Sequence, residues 1–241
     1  MKLRVLYIAL AAMMLITTLS FVACNDPASG GDSMYLLLVN KSNPVDSSYK
    51  PSGLVSVDKG YTTGGKSIEL EKKTAEAVKK MIDAMKADGI SGVTVTSGYR
   101  TYAYQESLFD RYYNEEKAAH PTWSDAQIKE QVLSYSAAPG TSEHHTGLCL
   151  DLITTEMVGL WNYGSETPNN PYDKGFAETE AFEWLCENAH KYGFILRYPE
   201  TKTSVTGYSY ESWHYRYVGV EHATKIHERG ITLEEYLRTM Q

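Results

Sequence analysis

Cysteine is scarce: 241 residues hold three, Cys24, Cys149 and Cys186. That number excludes a disulfide-dense small fold. None of the three belongs to a CxxC pair, which leaves a thiol-redox or cysteine–zinc role without support. Cys149 and Cys186 sit in apolar surroundings, so free, buried thiols are expected. Positive charge is also scarce, with 23 Lys and Arg against 30 Asp and Glu and a formal net charge of −7. No basic stripe with interleaved aromatics occurs, so no nucleic acid is expected as a partner. The chain lacks internal repeats and any second long apolar run. Its length suits one moderately large domain, expected to be monomeric.

The first residues carry an export signal. Lys2 and Arg4 precede an apolar run from Val5 to Val22, interrupted by Thr17, Thr18 and Ser20. That is a positive n-region followed by an h-region. The run ends in Phe21-Val22-Ala23-Cys24 and resembles a bacterial lipoprotein signal, with Phe21 where leucine is usual. The expected organisation is a lipoprotein-type signal peptide over 1–23, a Gly/Ser/Asp tether over 24–34 and one domain over 35–241. Cys24 is the expected lipid-bearing residue, which anchors an exported protein to membrane lipid on the extracytoplasmic face. A plain secretory signal is the first alternative and an uncleaved anchor the second, although the run is short for spanning ~30 Å of hydrocarbon. Loss of Lys2 and Arg4 takes the net charge to −9.

Periodicity sets the rest. Tyr35 to Val39 reads as a short strand, and Leu54 to Leu70 as irregular chain with several glycines. Ala75, Val78, Met81, Ile82 and Met85 recur at helical spacing, and Gly89 stops the helix. Val93 to Ser97 reads as a strand delivering Gly98-Tyr99-Arg100 to its end. Helices are expected from Tyr102 to Ala118, with Leu108 and Tyr112 inward, and beyond Pro121, where Ser124 and Gln127 form a capping box. Leu148 to Leu152 is strand-like, and Gly164 to Gly175 reads as a surface loop. Ala181 to Tyr192 reads as a helix closed by Gly193. Strands follow at Phe194 to Tyr198 and Tyr215 to Val218, and Thr232 with Glu235 forms a second capping box. Helices alternate with separated strands without a regular βαβ repeat. The expected fold is therefore α+β, a small, largely antiparallel sheet with packed helices in a single domain.

Two short blocks concentrate reactive side chains: Ser142 to Asp151 and Tyr208 to Tyr217. Zinc takes imidazole nitrogen and carboxylate oxygen, and a catalytic site usually keeps three protein ligands with water in the fourth place. His144, Asp151 and His214 would supply such a set, with a bend at Gly147 bringing the first two together. Periodicity does not select this trio from seven histidines, and surface or capping roles stay open for each. Glu211, three before His214, could reach a metal-bound water from an extended segment, or be a surface carboxylate.

The blocks together resemble the VanY-type D-alanyl-D-alanine carboxypeptidases, zinc peptidases that also include L,D-carboxypeptidases and D,D-dipeptidases. Ser142, His144, Gly147 and Asp151 match the family's Ser-x-His-x-x-Gly-x-x-x-Asp motif, and Glu211 and His214 its Glu-x-x-His. Ser97 to Arg100 match its Ser-Gly-Tyr-Arg block, with Gln105 following, and the similarity runs in order from about residue 35 to 238. The resemblance implies Zn2+ held by His144, Asp151 and His214, with Glu211 as catalytic base. It places Arg100 against the substrate carboxylate or the developing oxyanion, and Gln105 and Ser142 among the substrate-binding residues. The implied substrate is the peptidoglycan stem peptide, losing its C-terminal D-alanine. An L,D-carboxypeptidase acting on tetrapeptide stems and an inactive wall-binding lipoprotein are the alternatives. The chain departs from the family pattern at His145, usually glutamine, at Ser212, usually proline, and at Cys149, usually alanine. Cys149 is expected to pack, and His145 stands beside His144 as a rival for the metal.

Overall fold

The computed structural model describes residues 33–158 and 175–240. The signal over 1–23, Cys24, the tether up to residue 32 and nearly all of the loop expected over 164–175 lie outside the described residues. Among the described residues no helix is long and apolar enough to cross a membrane.

A two-stranded ladder opens the domain, β1 (Leu54–Ser56) pairing antiparallel with β2 (Glu69–Glu71). Three-residue strands are too short to display a period of two, so the sequence reads there as irregular. The central sheet is built from β3 (Val93–Ser97), β4 (Cys149–Thr154), β5 (Phe194–Tyr198) and β6 (Glu211–Tyr217). Its spatial order is β3-β4-β6-β5, with every neighbouring pair antiparallel. The α+β expectation therefore describes the architecture.

The helices follow their signals closely. α1 (Lys72–Ala87) starts where the Glu71 carboxylate accepts from Thr74 N, and buries Val78, Met81, Ile82 and Met85. Each such burial stabilises by roughly 1.5–3 kcal/mol relative to exposure, so this stripe fixes the helix against the sheet. α2 (Tyr102–Ala119) buries Leu108 and Tyr112, and α3 (Asp125–Tyr135) carries the Ser124/Gln127 capping box. α4 (Glu180–Asn188) continues as a 3-10 turn to Tyr192 and ends on left-handed Gly193. α5 (Thr203–Thr206) is a single turn, followed after β6 by α6 (Val220–Arg229) and α7 (Leu233–Arg238), the last capped by Thr232 and Glu235.

Strand alternation assigns the two faces of the sheet. Leu150, Leu152, Trp213, Tyr215 and Tyr217 join the main core with residues of α1 and α4. The opposite parity, Cys149 and Asp151 on β4 with Ser212, His214 and Arg216 on β6, forms a buried polar face.

The segment from Tyr35 to Val39 is a correction. It is not a strand: Ser33–Leu36 is a 3-10 turn and the rest is irregular. Its carbonyls find another donor, because Arg216 Nη2 donates to Tyr35 O at 3.0 Å and to Leu37 O at 2.7 Å. A buried guanidinium thus replaces the ladder that the apolar run suggests.

Candidate metal centre and active site

Backbone geometry brings the two sequence blocks together. Glu143–Thr146 is a fully buried 3-10 turn that closes on Gly147 at φ +68°. A Cβ at Gly147 would meet Leu54 Cδ2 at 2.8 Å and Glu71 N at 3.2 Å, so the position demands glycine both for its dihedral and for space. The turn feeds directly into β4, and β4 pairs with β6 in a register that sets Asp151 opposite His214. His144, Asp151 and His214 therefore converge although 70 residues separate the first from the last.

Each imidazole is oriented by a specific partner. His144 Nδ1 lies 2.7 Å from Gly98 O. A carbonyl only accepts, so Nδ1 carries the hydrogen, and Nε2, 3.4 Å from Asp151 Oδ2, is the nitrogen left to face a metal. His214 turns Nδ1 toward Asp151 Oδ1 at 3.1 Å and Glu211 Oε2 at 3.5 Å, while Nε2 faces Glu143 Oε2 at 3.5 Å. Sequence reasoning found no acceptor for the second nitrogens. Gly98 O is that acceptor for His144, the arrangement that orients metal-ligating histidines, and the carboxylate facing His214 Nε2 at 3.5 Å is that of Glu143. The signal for Glu143 was present in two arginines, Arg197 inside the otherwise apolar β5 and Arg216 between two buried tyrosines of β6.

Those arginines are fully buried, and Glu143 lies between them. Its Oε1 accepts from Arg197 Nε at 2.8 Å and from Arg216 Nη1 at 2.7 Å, and Arg197 also forks onto Glu234 at 2.9 and 2.6 Å. Burial alone would raise the Glu143 carboxyl. The two guanidiniums outweigh it and hold the group well below the ordinary carboxylate range.

The other expected site residues also have definite places. Arg100 Nη2 donates to Ser97 Oγ at 2.9 Å and to Asp151 Oδ2 at 3.1 Å, while Nη1 lies 3.5 Å from Gln105 Oε1. Gln105 is buried on α2, and its amide also donates to Ala137 O at 2.8 Å, so it props Arg100 from behind. Ser142 is buried at the mouth of the 3-10 turn and makes no side-chain cap there. His145 is committed to the backbone at both nitrogens. Gly140 N donates to its Nε2 at 3.1 Å and its Nδ1 reaches Arg100 O at 2.8 Å, which makes it a strap between loops.

Glu211 begins β6, earlier than the expected strand start at Tyr215. Burial pushes its carboxyl up to about 7, with His214 opposing and Asp151 reinforcing the shift. A carboxyl near neutrality is suited to taking and returning a proton at physiological pH.

Cys149 is packed in the interior, as expected, and it also stands beside the imidazoles: His144, Cys149 and His214 each offer a donor atom within 4.8 Å of the other two. The thiol is buried and unpaired, as expected, whereas Cys186, also unpaired, is exposed rather than buried.

The residues present fit a zinc ion. Asp151 Oδ1 is buried and makes no hydrogen bond. Burial and the Arg100 charge would lower His144, but Cys149 and Asp151 outweigh them and push it up to about 9. His214, also against burial, is raised well above its ordinary range by Cys149, Asp151 and Glu143. A site that favours positive charge between two imidazoles and a carboxylate is built to accept a cation there.

Comparison with known proteins agrees with this geometry. The family model of VanY, D-alanyl-D-alanine carboxypeptidase, matches residues 67–220. A D-alanyl-D-alanine carboxypeptidase of Enterococcus faecalis is 38% identical over 204 residues, covering 85% of this chain. The chain spans 66% of that protein's length. A solved zinc complex of the vancomycin-resistance D,D-pentapeptidase VanY, from a VanB-type cassette, is 36% identical with a TM-score of 0.66. It covers 85% of this chain and 99% of its own. The LD-carboxypeptidase LdcB is 34% identical with a TM-score of 0.69, covering 85% of this chain and 86% of its own.

Proposed function

This chain belongs to the VanY family of D-alanyl-D-alanine carboxypeptidases, and from that premise we propose that it is a zinc-dependent enzyme removing the C-terminal D-alanine of peptidoglycan stem peptides. The observation that carries the reading is the convergence of His144, Asp151 and His214 with Glu211 Oε2 only 3.5 Å from His214 Nδ1.

His144 Nε2, His214 Nδ1 and an Asp151 carboxylate oxygen would hold the ion. Bound zinc supplies Lewis acidity toward the scissile carbonyl and lowers the pKa of water to about 7. Glu211 takes the proton of the attacking water at its carboxylate and returns it to the departing amine of D-alanine. Arg100, held by Ser97 Oγ and Asp151 Oδ2, directs its guanidinium at the oxyanion or the substrate's terminal carboxylate. Gln105 fixes that guanidinium rather than touching substrate, because its own amide is buried against Ala137 O.

The similarity to the LD-carboxypeptidase LdcB supports a second reading with the same centre and a different stereochemistry, cleavage of tetrapeptide stems. Synthetic pentapeptide and tetrapeptide stems offered to the purified protein separate the two by the mass of the products. Loss of one D-alanine from the pentapeptide alone is the expected outcome, abolished by a chelator. Cleavage confined to the tetrapeptide would transfer the assignment to the second reading.

We also propose that Cys24 carries lipid and holds the enzyme on the extracytoplasmic face of the membrane, in reach of stem peptides. Support comes from the n-region, h-region and Ala23-Cys24 sequence. Cys24→Ala should release active enzyme into the soluble fraction. Membrane retention unchanged by the substitution, with the signal still processed, would remove the anchor.

A further inference from the structure

We infer that Cys149 Sγ binds the metal of the resting enzyme, as an additional protein ligand beside His144 and His214. The inference rests on the proposed reading of those histidines as metal ligands.

Strand geometry carries it. Cys149 and Asp151 are two residues apart on β4, so their side chains leave the same face of the sheet. Asp151 stands directly opposite His214 on β6, and Cys149 stands opposite Arg216, which makes it the diagonal neighbour of His214 on that face. His144 descends onto the same spot from the preceding turn. The result is a sulfur and two imidazole nitrogens all within 4.8 Å of one another. Zinc–sulfur and zinc–nitrogen bonds of about 2.3 and 2.0 Å put ligands of one tetrahedral ion about 3.5 Å apart. The three donors thus stand within little more than ~1 Å of the spacing that ligands of one ion adopt.

Two further facts favour the thiol. Cys149 is fully buried and free, so neither a disulfide nor solvent competes for it. One Asp151 oxygen is already engaged by Arg100 at 3.1 Å, which leaves that carboxylate a single uncommitted oxygen, Oδ1. Thiolate is also the softer donor and suits zinc well. With His144, Asp151 and His214, a thiolate would complete four protein ligands, filling the position that a three-ligand catalytic centre leaves to water. Cys149 would then act as an internal cap over that position.

The test uses the reduced full-length protein loaded with one equivalent of zinc or cobalt, next to Cys149→Ala and Cys149→Ser. Zinc-edge X-ray absorption of the unsubstituted protein should show one sulfur neighbour at about 2.3 Å, and its cobalt form a near-ultraviolet thiolate-to-metal charge-transfer band. Both signals should vanish in both variants while one metal stays bound. Cys186 is present in all three proteins, so the difference belongs to Cys149. A centre with only nitrogen and oxygen neighbours, and a cobalt spectrum equal to that of Cys149→Ala, would overturn the inference while leaving the histidine ligands standing. Failure of all three proteins to bind metal would instead sink the centre itself, and this ligand with it.

Discussion

Glu211→Gln enzyme is expected to bind one zinc per chain and to lose turnover by about 10²–10⁴-fold, the usual contribution of a positioned general base. The amide keeps the size of the side chain and its place at the start of β6, so packing is preserved. It removes the only property the mechanism uses, the capacity to accept and return a proton. Glu211 is three residues from His214 and 3.5 Å from its Nδ1. It is therefore close enough to reach water at the centre, and the remaining donors can hold the ion without it. Unchanged metal content with nearly absent turnover separates base from ligand. Activity within a few-fold of the unsubstituted enzyme would remove Glu211 from the chemistry.

Glu143→Gln is expected to be the most damaging single substitution for folding that leaves the outline of the side chain intact. The carboxylate is buried between Arg197 and Arg216, whose side chains are 0% exposed. Removing one partner of a buried ion pair costs about 3–5 kcal/mol, because charge is left without compensation in a medium that solvates it poorly. Arg197 would keep Glu234, but among the described residues Arg216 would keep no carboxylate, only neutral acceptors such as the carbonyls of Tyr35, Leu37 and Tyr217. Domains commonly have about 5–15 kcal/mol in total, so the loss is a large share. Urea titration should show a lower midpoint at unchanged slope. The same carboxylate faces His214 Nε2, so zinc affinity should fall about 10–100-fold as well. A variant with the original midpoint would mean that the guanidiniums are solvated in some other way.

The substitution also shows what the buried polar face does. Arg216 ties β6 to the segment after residue 33, Arg197 ties β5 to α7, and Glu143 ties both to the turn that carries His144. Positioning of the metal ligands and cohesion of the domain are thus one network.

How much of this the sequence disclosed depends on the range of the interaction. α1 was plain because four buried residues recur at 3.6-residue spacing, and the capping boxes of α3 and α7 were plain because they are local chemistry. β6 was read only from Tyr215, since Glu211 to His214 are polar or half-buried and show no apolar alternation. The segment after Tyr35 was misread because its apolar pattern says nothing of a guanidinium 180 residues away. The trio of His144, Asp151 and His214 came from motif resemblance. Its convergence depends on the β4–β6 register, which no local pattern encodes. The nearness of Cys149 to the two histidines follows from the same register, since it lies two residues before Asp151 and leaves the same face of β4.

Titrating metal-free protein with zinc while following D-alanine release from a pentapeptide stem tests the central assignment most directly. The account predicts no release without metal, a linear rise to one zinc per chain and a plateau beyond it. Full turnover by protein stripped of every metal would contradict it.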